Sequence, residues 1–384
     1  MYYVCYLILF FATILYIKYL PFNVKSRHPV NIDSHKYKII KRRRLEENLF
    51  PDYYPNTWYF LCNSDEIVLN SKKTIILFDN LFVLFRNSKG GLGLVDAFCP
   101  HLGTNLGEGG VIKDDCIVCP YHSWEFNVEG KCEKIPYTTR TVPERANITK
   151  FLVIEKYGLI FMWYNDIGEK PPNNIKILDE IKEYHSKIIV KDYEDYHMHI
   201  MEPSQNSADY YHFKTVHKYL PNAFYDKLLH VDHDIHTVYE NKEDGMIIIR
   251  ESIKTIKFLS KISLPKFICK LFTTYVIIES PSLILFKIDN KLLGEYRGIM
   301  TLTPVEPFIQ KIRLNAWGSG FFKIFGRLMT WFVMNTVEQD RRVWEHKLNI
   351  RNLVCGDGKF AAYMSWLNKF YSKINKINIK NLDW

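Results

Sequence analysis

The chain has 384 residues, 47% of them hydrophobic, and its 51 Lys plus Arg against 42 Asp plus Glu give a formal net charge of +9. That length accommodates two domains of ordinary size plus an appendage, with enough chain to bury sizeable cores. The basic residues gather beside apolar segments, which excludes nucleic acid as the partner they serve, and eight cysteines without a paired framework exclude a disulfide scaffold and indicate a reducing compartment.

Residues 1–22, M-Y-Y-V-C-Y-L-I-L-F-F-A-T-I-L-Y-I-K-Y-L-P-F, are apolar apart from Lys18. A cleaved signal peptide wants a positive charge before the apolar run and small residues after it, and neither is there. The stretch therefore predicts a transmembrane anchor, with Lys18 snorkelling near its end. The basic linker 23–52 follows, carrying Lys25, Arg27, Lys36, Lys38, Lys41 and Arg42 to Arg44. By the positive-inside rule it puts the rest of the chain in the cytosol, and the expected location is a single-pass protein of the endoplasmic reticulum membrane.

Residues 53–168 read as an all-β domain. Runs such as T-I-I-L-F, L-F-V-L-F, D-C-I-V-C and L-I-F-M-W are rich in branched and aromatic residues, and N-S-K-G-G and V-E-G-K supply turns between them. Within this domain lie two mixed pairs, Cys99 with His101 and Cys119 with His122. Each pair offers one thiolate and one imidazole, and a Rieske [2Fe–2S] centre takes two of each. Structural zinc accepts the same ligands. Zinc fingers, however, put cysteines on one arm and histidines on the other, whereas each arm here mixes them.

Glu169 to Asn174, with Pro171 and Pro172, forms a linker to a second domain, 175–384, in which strands and helices mix, so the class is α+β. The segment M-E-P-S-Q-N-S-A-D-Y-Y-H-F-K-T-V-H at 201–217 predicts a helix starting near Pro203 and Ser204. His212 and His217 are then about 140° apart around an ideal helix, so one metal needs local unwinding or a π-bulge near Phe213 to reach both. The segment at 331–347 predicts a second helix with an apolar stripe through Val333, Val337, Val343 and Trp344, and Asp340 near that face. Two histidines and a carboxylate make the facial triad of non-haem iron, with positions left open for oxygen. Glu338 and Glu345 are alternative carboxylates, and Arg341 or Arg342 an alternative partner for Asp340. His197 and His199 on a predicted strand, and His233 and His236, are assigned no metal. Lysines and apolar residues in 253–276 predict a membrane-touching collar at a pocket mouth.

The stretch from Cys99 to Trp124, the D-x-x-H-x-x-x-x-H segment at 209–217 and the late carboxylate together resemble the Rieske non-haem iron oxygenases over nearly the whole chain after residue 22. Within them, Y-P-N-T-W-Y at 54–59, D-A-F-C-P-H-L-G-T-N-L-G-E-G-G, C-P-Y-H-S-W and V-E-Q-D-R-R-V-W-E-H-K resemble the Neverland-type cholesterol 7-desaturases. The resemblance implies a Rieske domain joined to a helix-grip catalytic domain, in a head-to-tail homotrimer. It implies that Cys99, His101, Cys119 and His122 hold the cluster, that His212, His217 and Asp340 hold a mononuclear Fe(II), and that Asp209 bridges the two centres across subunits. Ser123 departs from the glycine usual before the tryptophan. No G-x-G-x-x-G fingerprint follows a strand, so NAD(P)H electrons are expected through a separate reductase. The expected reaction is C7–C8 desaturation of cholesterol, a sterol substrate, with O2. Alternatives are hydroxylation of another steroid or a tetrapyrrole, or a membrane-bound Rieske electron carrier.

Overall fold

Branched and aromatic runs become strands wherever turn residues let the chain reverse, and this builds two units in the computed structural model of the protein. The described residues are 35–47, 50–51, 54–171, 174–184, 189–192, 195–218, 229–238, 246–258, 262–263, 266, 273–350 and 358–372. One unit comprises Asn56–Asn173 with Thr303–Pro307, and the other holds the remainder.

The first unit is all-β apart from short helical turns. Strand β1 (Thr57–Asn63) pairs with β11 (Leu159–Tyr164), which pairs with β10 (Val153–Lys156). A second sheet has the order β2 (Ser71–Leu77), β3 (Asn80–Arg86), β4 (Leu92–Asp96) and β9 (Lys150–Phe151). A third is the meander β5 (Val111–Lys113), β6 (Cys116–Val118), β7 (Glu125–Asn127) and β8 (Cys132–Lys134). Phe82 to Phe85 are buried in succession rather than alternately, so β3 is covered on both faces. The core joins Val83, Phe85 and Val95 to Leu106, Ile117 and Phe126, and it includes Cys99 and Cys119. The cysteine thiols thus start from packed ground.

The β2–β3 hairpin turns through Phe78 and Asp79, both at positive φ (57° and 59°). Such two-residue turns ordinarily use Asn-Gly. Here the strained pair is held by backbone hydrogen bonds to Pro304 (2.9 Å) and Val305 (2.7 Å), which draws Thr303–Pro307 into this unit.

In the second unit an antiparallel sheet runs in the order β12 (Ile189–Asp192), β19 (Ile309–Gly318), β18 (Gly294–Glu306), β17 (Leu283–Asn290), β16 (Thr274–Ser280), β14 (Ile247–Phe258) and β13 (Leu229–Val238), with β15 (Ile262–Ser263) beside β14. A 23-residue helix, α5 (Phe322–Trp344), packs against it. Its buried face carries Val333, Met334, Val337, Glu338, Asp340, Arg341 and Trp344. Val343, expected in the apolar stripe, is instead 45% exposed. Helices α3 (Met201–Ala208), α4 (Tyr210–Val216) and α6 (Gly358–Leu367) belong to the same unit, as does α1 (His35–Glu46); α2 (Leu106–Gly109) belongs to the first.

The membrane reading needs correction. Among the described residues no helix is long and apolar enough to cross a bilayer, which does not fit a single-pass endoplasmic reticulum protein. The longest, α5, carries Lys323, Arg327, Glu338, Asp340, Arg341 and Arg342 and is amphipathic. The anchor expected at 1–22 lies outside the described residues. Nor is Arg44 a solvated flanking charge: it is 1% exposed and donates to the carbonyls of Trp344 (2.6 Å), Lys347 (2.7 and 3.0 Å) and His197 (3.2 Å). One guanidinium therefore satisfies carbonyls at and beyond the C-terminus of α5. The expected collar likewise divides into β14, β15 and the start of β16, with its remaining residues largely outside the described ones, and Ile256 is 5% exposed.

Candidate metal centres

The two Cys/His pairs sit on loops with matching backbone geometry. In the first, the Cys99 amide donates to Thr104 O (2.9 Å) and the Gly103 amide to Cys99 O (2.9 Å); in the second, the Cys119 amide donates to Trp124 O (2.8 Å) and the Ser123 amide to Cys119 O (3.0 Å). The fourth position after each cysteine takes positive φ, +71° at Gly103 and +57° at Ser123. Glycine enters that region freely and serine does so at a cost. Ser123 is therefore the strained member of a matched pair of loops.

The loops bring two imidazoles and two buried thiols together. His101 and His122 lie with ring centroids 4.7 Å apart, and His101 stacks on Trp124 at 4.6 Å and 9°. The Trp124 indole is fixed by donating to Tyr137 Oη (2.8 Å). Burial, with Cys119 beside it, pushes the Cys99 thiol up to about 11. His101 Nδ1 is buried without a hydrogen-bond partner among the described residues, which suits a nitrogen reserved for metal. Two sulfurs and two imidazoles, one ring nitrogen still unclaimed, fit a Rieske cluster. The described cysteines outside the pairs, Cys62, Cys116 and Cys132, are buried.

In the second unit the expected continuous helix over 201–217 is broken, and the break is at Asp209, not Phe213. Asp209 is extended (φ −87°, ψ 106°), ending α3 and capping α4 by accepting from the amides of Tyr211 (2.9 Å) and His212 (3.4 Å). His212 then stands in the first turn of α4 and His217 just past its end. Their rings come within 5.0 Å at 81°, with no π-bulge between them. Donor atoms of His212, His217 and Asp340 all lie within 4.8 Å of one another.

Hydrogen bonds orient both imidazoles. His212 Nδ1 donates to the Asp209 carbonyl (2.5 Å), and His217 Nδ1 to Gln339 Oε1 (2.9 Å), leaving His217 Nε2 3.3 Å from Asp340 Oδ1. Burial pulls His212 below the usual imidazole range. Burial acts the same way on His217, but Asp340 and Gln339 outweigh it and hold that ring above the usual range. The other carboxylates are engaged elsewhere: Glu345 takes Arg341 (2.9 Å) and the His197 amide (3.1 Å), and Glu338 takes Tyr196 and Arg341. Arg341 is thus partnered without Asp340, which is left to face the histidines. The donor set of two imidazoles and one carboxylate suits non-haem iron.

This triad borders a cavity of about 370 Å³ whose wall includes Asn206, Ile253, Ile256, Val276, Phe286, Met300, Phe332 and Val333. Sequence reasoning missed three polar residues here. Gln339 orients His217, and His233, earlier assigned no role, links Glu251 (2.7 Å from Nδ1) to the His217 carbonyl (2.9 Å from Nε2). Burial pushes Glu251 upward, but the bond from His233 and its charge hold it below the usual carboxylate range. Strand alternation places His233 and Glu251 on one face, a signal available only once β13 and β14 are known to pair. His197 and His199 are buried but bond to Tyr37 and the Met201 amide, away from any metal-donor group among the described residues. The side chain of His236 lies outside the described residues.

Residues 57–155 match the Rieske [2Fe-2S] domain family. The chain is 27% identical to a cholesterol 7-desaturase of Drosophila melanogaster, over 91% of this chain and 84% of that protein, and 29% identical to one of Xenopus laevis, over 90% and 78%. It is 26% identical to the oxygenase component of a 3-ketosteroid-9-alpha-monooxygenase of Mycolicibacterium smegmatis, over 87% of each. Its fold is shared with dicamba monooxygenase bound to dicamba, at a TM-score of 0.63 and 18% identity, covering 83% of this chain and 97% of that one. An all-β cluster domain followed by a sheet-and-helix unit with a two-histidine, one-carboxylate pocket, in a sequence alike over most of its length to cholesterol 7-desaturases, places this oxidoreductase in the family of Rieske non-haem iron oxygenases.

Proposed function

We propose that the protein desaturates cholesterol between C7 and C8, using O2 and electrons from NAD(P)H delivered by a separate reductase. The observation that carries the reading is the meeting of His212, His217 and Asp340 within 4.8 Å at the edge of an apolar cavity, in a chain similar to cholesterol 7-desaturases over about nine-tenths of its length. In this reading Cys99, His101, Cys119 and His122 hold the cluster, and His212, His217 and Asp340 hold the iron. The cluster supplies single electrons and the iron supplies oxygen activation when bound.

The chain's own residues do the rest. In a head-to-tail trimer Asp209 would couple the centres, standing between the residues that would hold the cluster in one subunit and those that would hold iron in the next. Its carbonyl fixes the His212 tautomer and its carboxylate caps α4, so a change at this residue reaches the iron ligand directly. Aliphatic and aromatic walls exclude water and orient a rigid apolar body for oxidation at one edge. Overall, cholesterol, O2, NAD(P)H and a proton give 7-dehydrocholesterol, NAD(P)+ and two waters.

A second reading, hydroxylation of another steroid, draws on the 26% identity to the 3-ketosteroid-9-alpha-monooxygenase component. The holoenzyme is to be incubated with a reductase, NADPH, O2 and labelled cholesterol, and its product read by mass spectrometry. Loss of two hydrogens at C7–C8 is expected. Gain of an oxygen atom supports the second reading, and an unchanged sterol in protein with both metals present overturns the first.

A further inference from the structure

The cavity wall contains one carboxylate oxygen that neither the metal donors nor the other described residues engage. Glu251 lies on β14 and His233 on β13, on the diagonal of an antiparallel pair in which His233 stands opposite Ile253 and Glu251 opposite Ile235. A diagonal pair shares a face of the sheet, and both residues line the cavity. Glu251 Oε1 accepts from His233 Nδ1 (2.7 Å), and His233 Nε2 donates to the carbonyl of His217 (2.9 Å). Glu251 Oε2 has no hydrogen-bond partner among the described residues, and a fifth of the side chain remains accessible.

A carboxylate facing an apolar cavity loses hydration and regains it only through a donor. His233 supplies one donor to one oxygen. The other oxygen asks for an O–H or N–H from whatever fills the cavity. The other carboxylate in the wall, Asp340, is directed at His217. We propose that Glu251, steadied by His233, grips a hydroxyl of the substrate, so that the pocket selects an apolar alcohol over the matching ether or ketone. The inference rests on the sterol reading and refines it. In cholesterol the hydroxyl stands on the ring adjoining the one that is oxidised. The run from Glu251 through His233 to His217 is correspondingly short, two hydrogen bonds from an iron ligand.

The test measures binding and turnover of cholesterol, its 3-methyl ether and its 3-ketone by the full chain loaded with cluster and iron, for the wild type, Glu251→Gln and Glu251→Leu. Iron content and the cluster spectrum establish that each variant is intact. A hydrogen bond to a charged group predicts that the wild type binds the alcohol about tenfold or more tighter than the ether. Glu251→Leu is expected to bind the two alike. Glu251→Gln, whose amide donates as well as accepts, is expected to shift preference toward the ketone. Discrimination below twofold in the wild type, or discrimination retained in Glu251→Leu, overturns the proposal. Should Glu251→Leu lose its metals, an alcohol-to-ketone ratio unchanged in Glu251→Gln overturns it equally. Tight, selective binding without C7–C8 oxidation defeats the desaturase reading and leaves the hydroxyl grip standing. Oxidation without selectivity does the reverse, and no sterol binding at all defeats both.

Discussion

Gln339→Leu isolates the part of the proposed iron site that no ligand mutation reaches. His217 is 4% exposed, and its Nδ1–H has Gln339 Oε1 as acceptor at 2.9 Å. That bond keeps the proton on Nδ1 and turns the Nε2 lone pair toward the space shared with Asp340 and His212. Leucine leaves the ring two choices. It can hold an unpaired buried N–H, at a cost of about 1–3 kcal/mol, or move the proton to Nε2 and donate it to Asp340, closing the position that iron needs. Either way iron affinity falls by about 10- to 100-fold, the range for losing an outer hydrogen bond to a histidine ligand, equivalent to about 1.4–2.7 kcal/mol. The two routes to the magnitude agree. The assay is competition between the protein and a chelator for Fe(II), with the cluster already in place and its EPR signal as the folding control. Gln339→Glu, which keeps an acceptor and adds charge, is expected to hold iron at least as tightly as the wild type. Iron affinity within twofold of wild type in Gln339→Leu refutes the reasoning.

Asp340→Ala is expected to keep the visible and EPR signature of the cluster while abolishing turnover, and substrate oxidation that survives removes Asp340 from the site. Asp209→Asn keeps a good helix cap, so it should fold and load both metals yet leave reduced cluster stranded, as rapid-mixing reoxidation with substrate and O2 will show; fast reoxidation contradicts the bridging role. Asp209→Ala, which loses the cap, should in addition cost about 1 kcal/mol in urea unfolding. Ser123→Gly relieves a positive φ and should raise stability by about 1 kcal/mol with ligation unchanged; a drop in the cluster-loaded melting temperature opposes this. Burial, with Glu125, Glu133 and Asp115 near it, pushes the Cys116 thiol up to about 11. A raised thiol pKa means that the fold favours the protonated form, so its stabilising effect is full below about 9 and is lost as pH rises through about 11. Alkylation of Cys116 at pH 8 should therefore be at least about a hundredfold slower in folded than in unfolded protein, as peptide mass mapping will show.

The cluster loops were legible because their chemistry is local. Two Cys/His pairs, prolines and a glycine at the turn set both the proposed ligands and the backbone within a few residues, and the strands around them follow from short apolar runs between turn signals. Asp340 was legible as a polar residue near the buried face of a helix. What chose it over Glu338 and Glu345 was not legible, since that choice depends on Arg341 and on Tyr196 and His197, more than a hundred residues away in sequence. The same holds for Gln339, His233 and Glu251, whose roles exist only after α5 and β14 have been laid beside their partners. Arg44 misled for a related reason. In a run of basic residues it reads as flank, and only the carbonyls beyond α5 make it part of a core.

The break at Asp209 shows why helical periodicity misplaced the histidines. A continuous helix would spread His212 and His217 around its surface, and a bulge at Phe213 would bring them together but leave Asp209 without a helix start to cap. Ending α3 at Asp209 does three things at once. The extended residue turns its carbonyl toward His212 Nδ1, presents its carboxylate to the first amides of α4, and lets His217 fall at the helix end, where its φ of −99° and ψ of 14° leave the α-helical region. Aspartate suits all three because its short side chain reaches amides two and three residues on. A residue already required for the backbone thus stands against His212, so in the proposed reading electron delivery and ligand geometry depend on the same atoms.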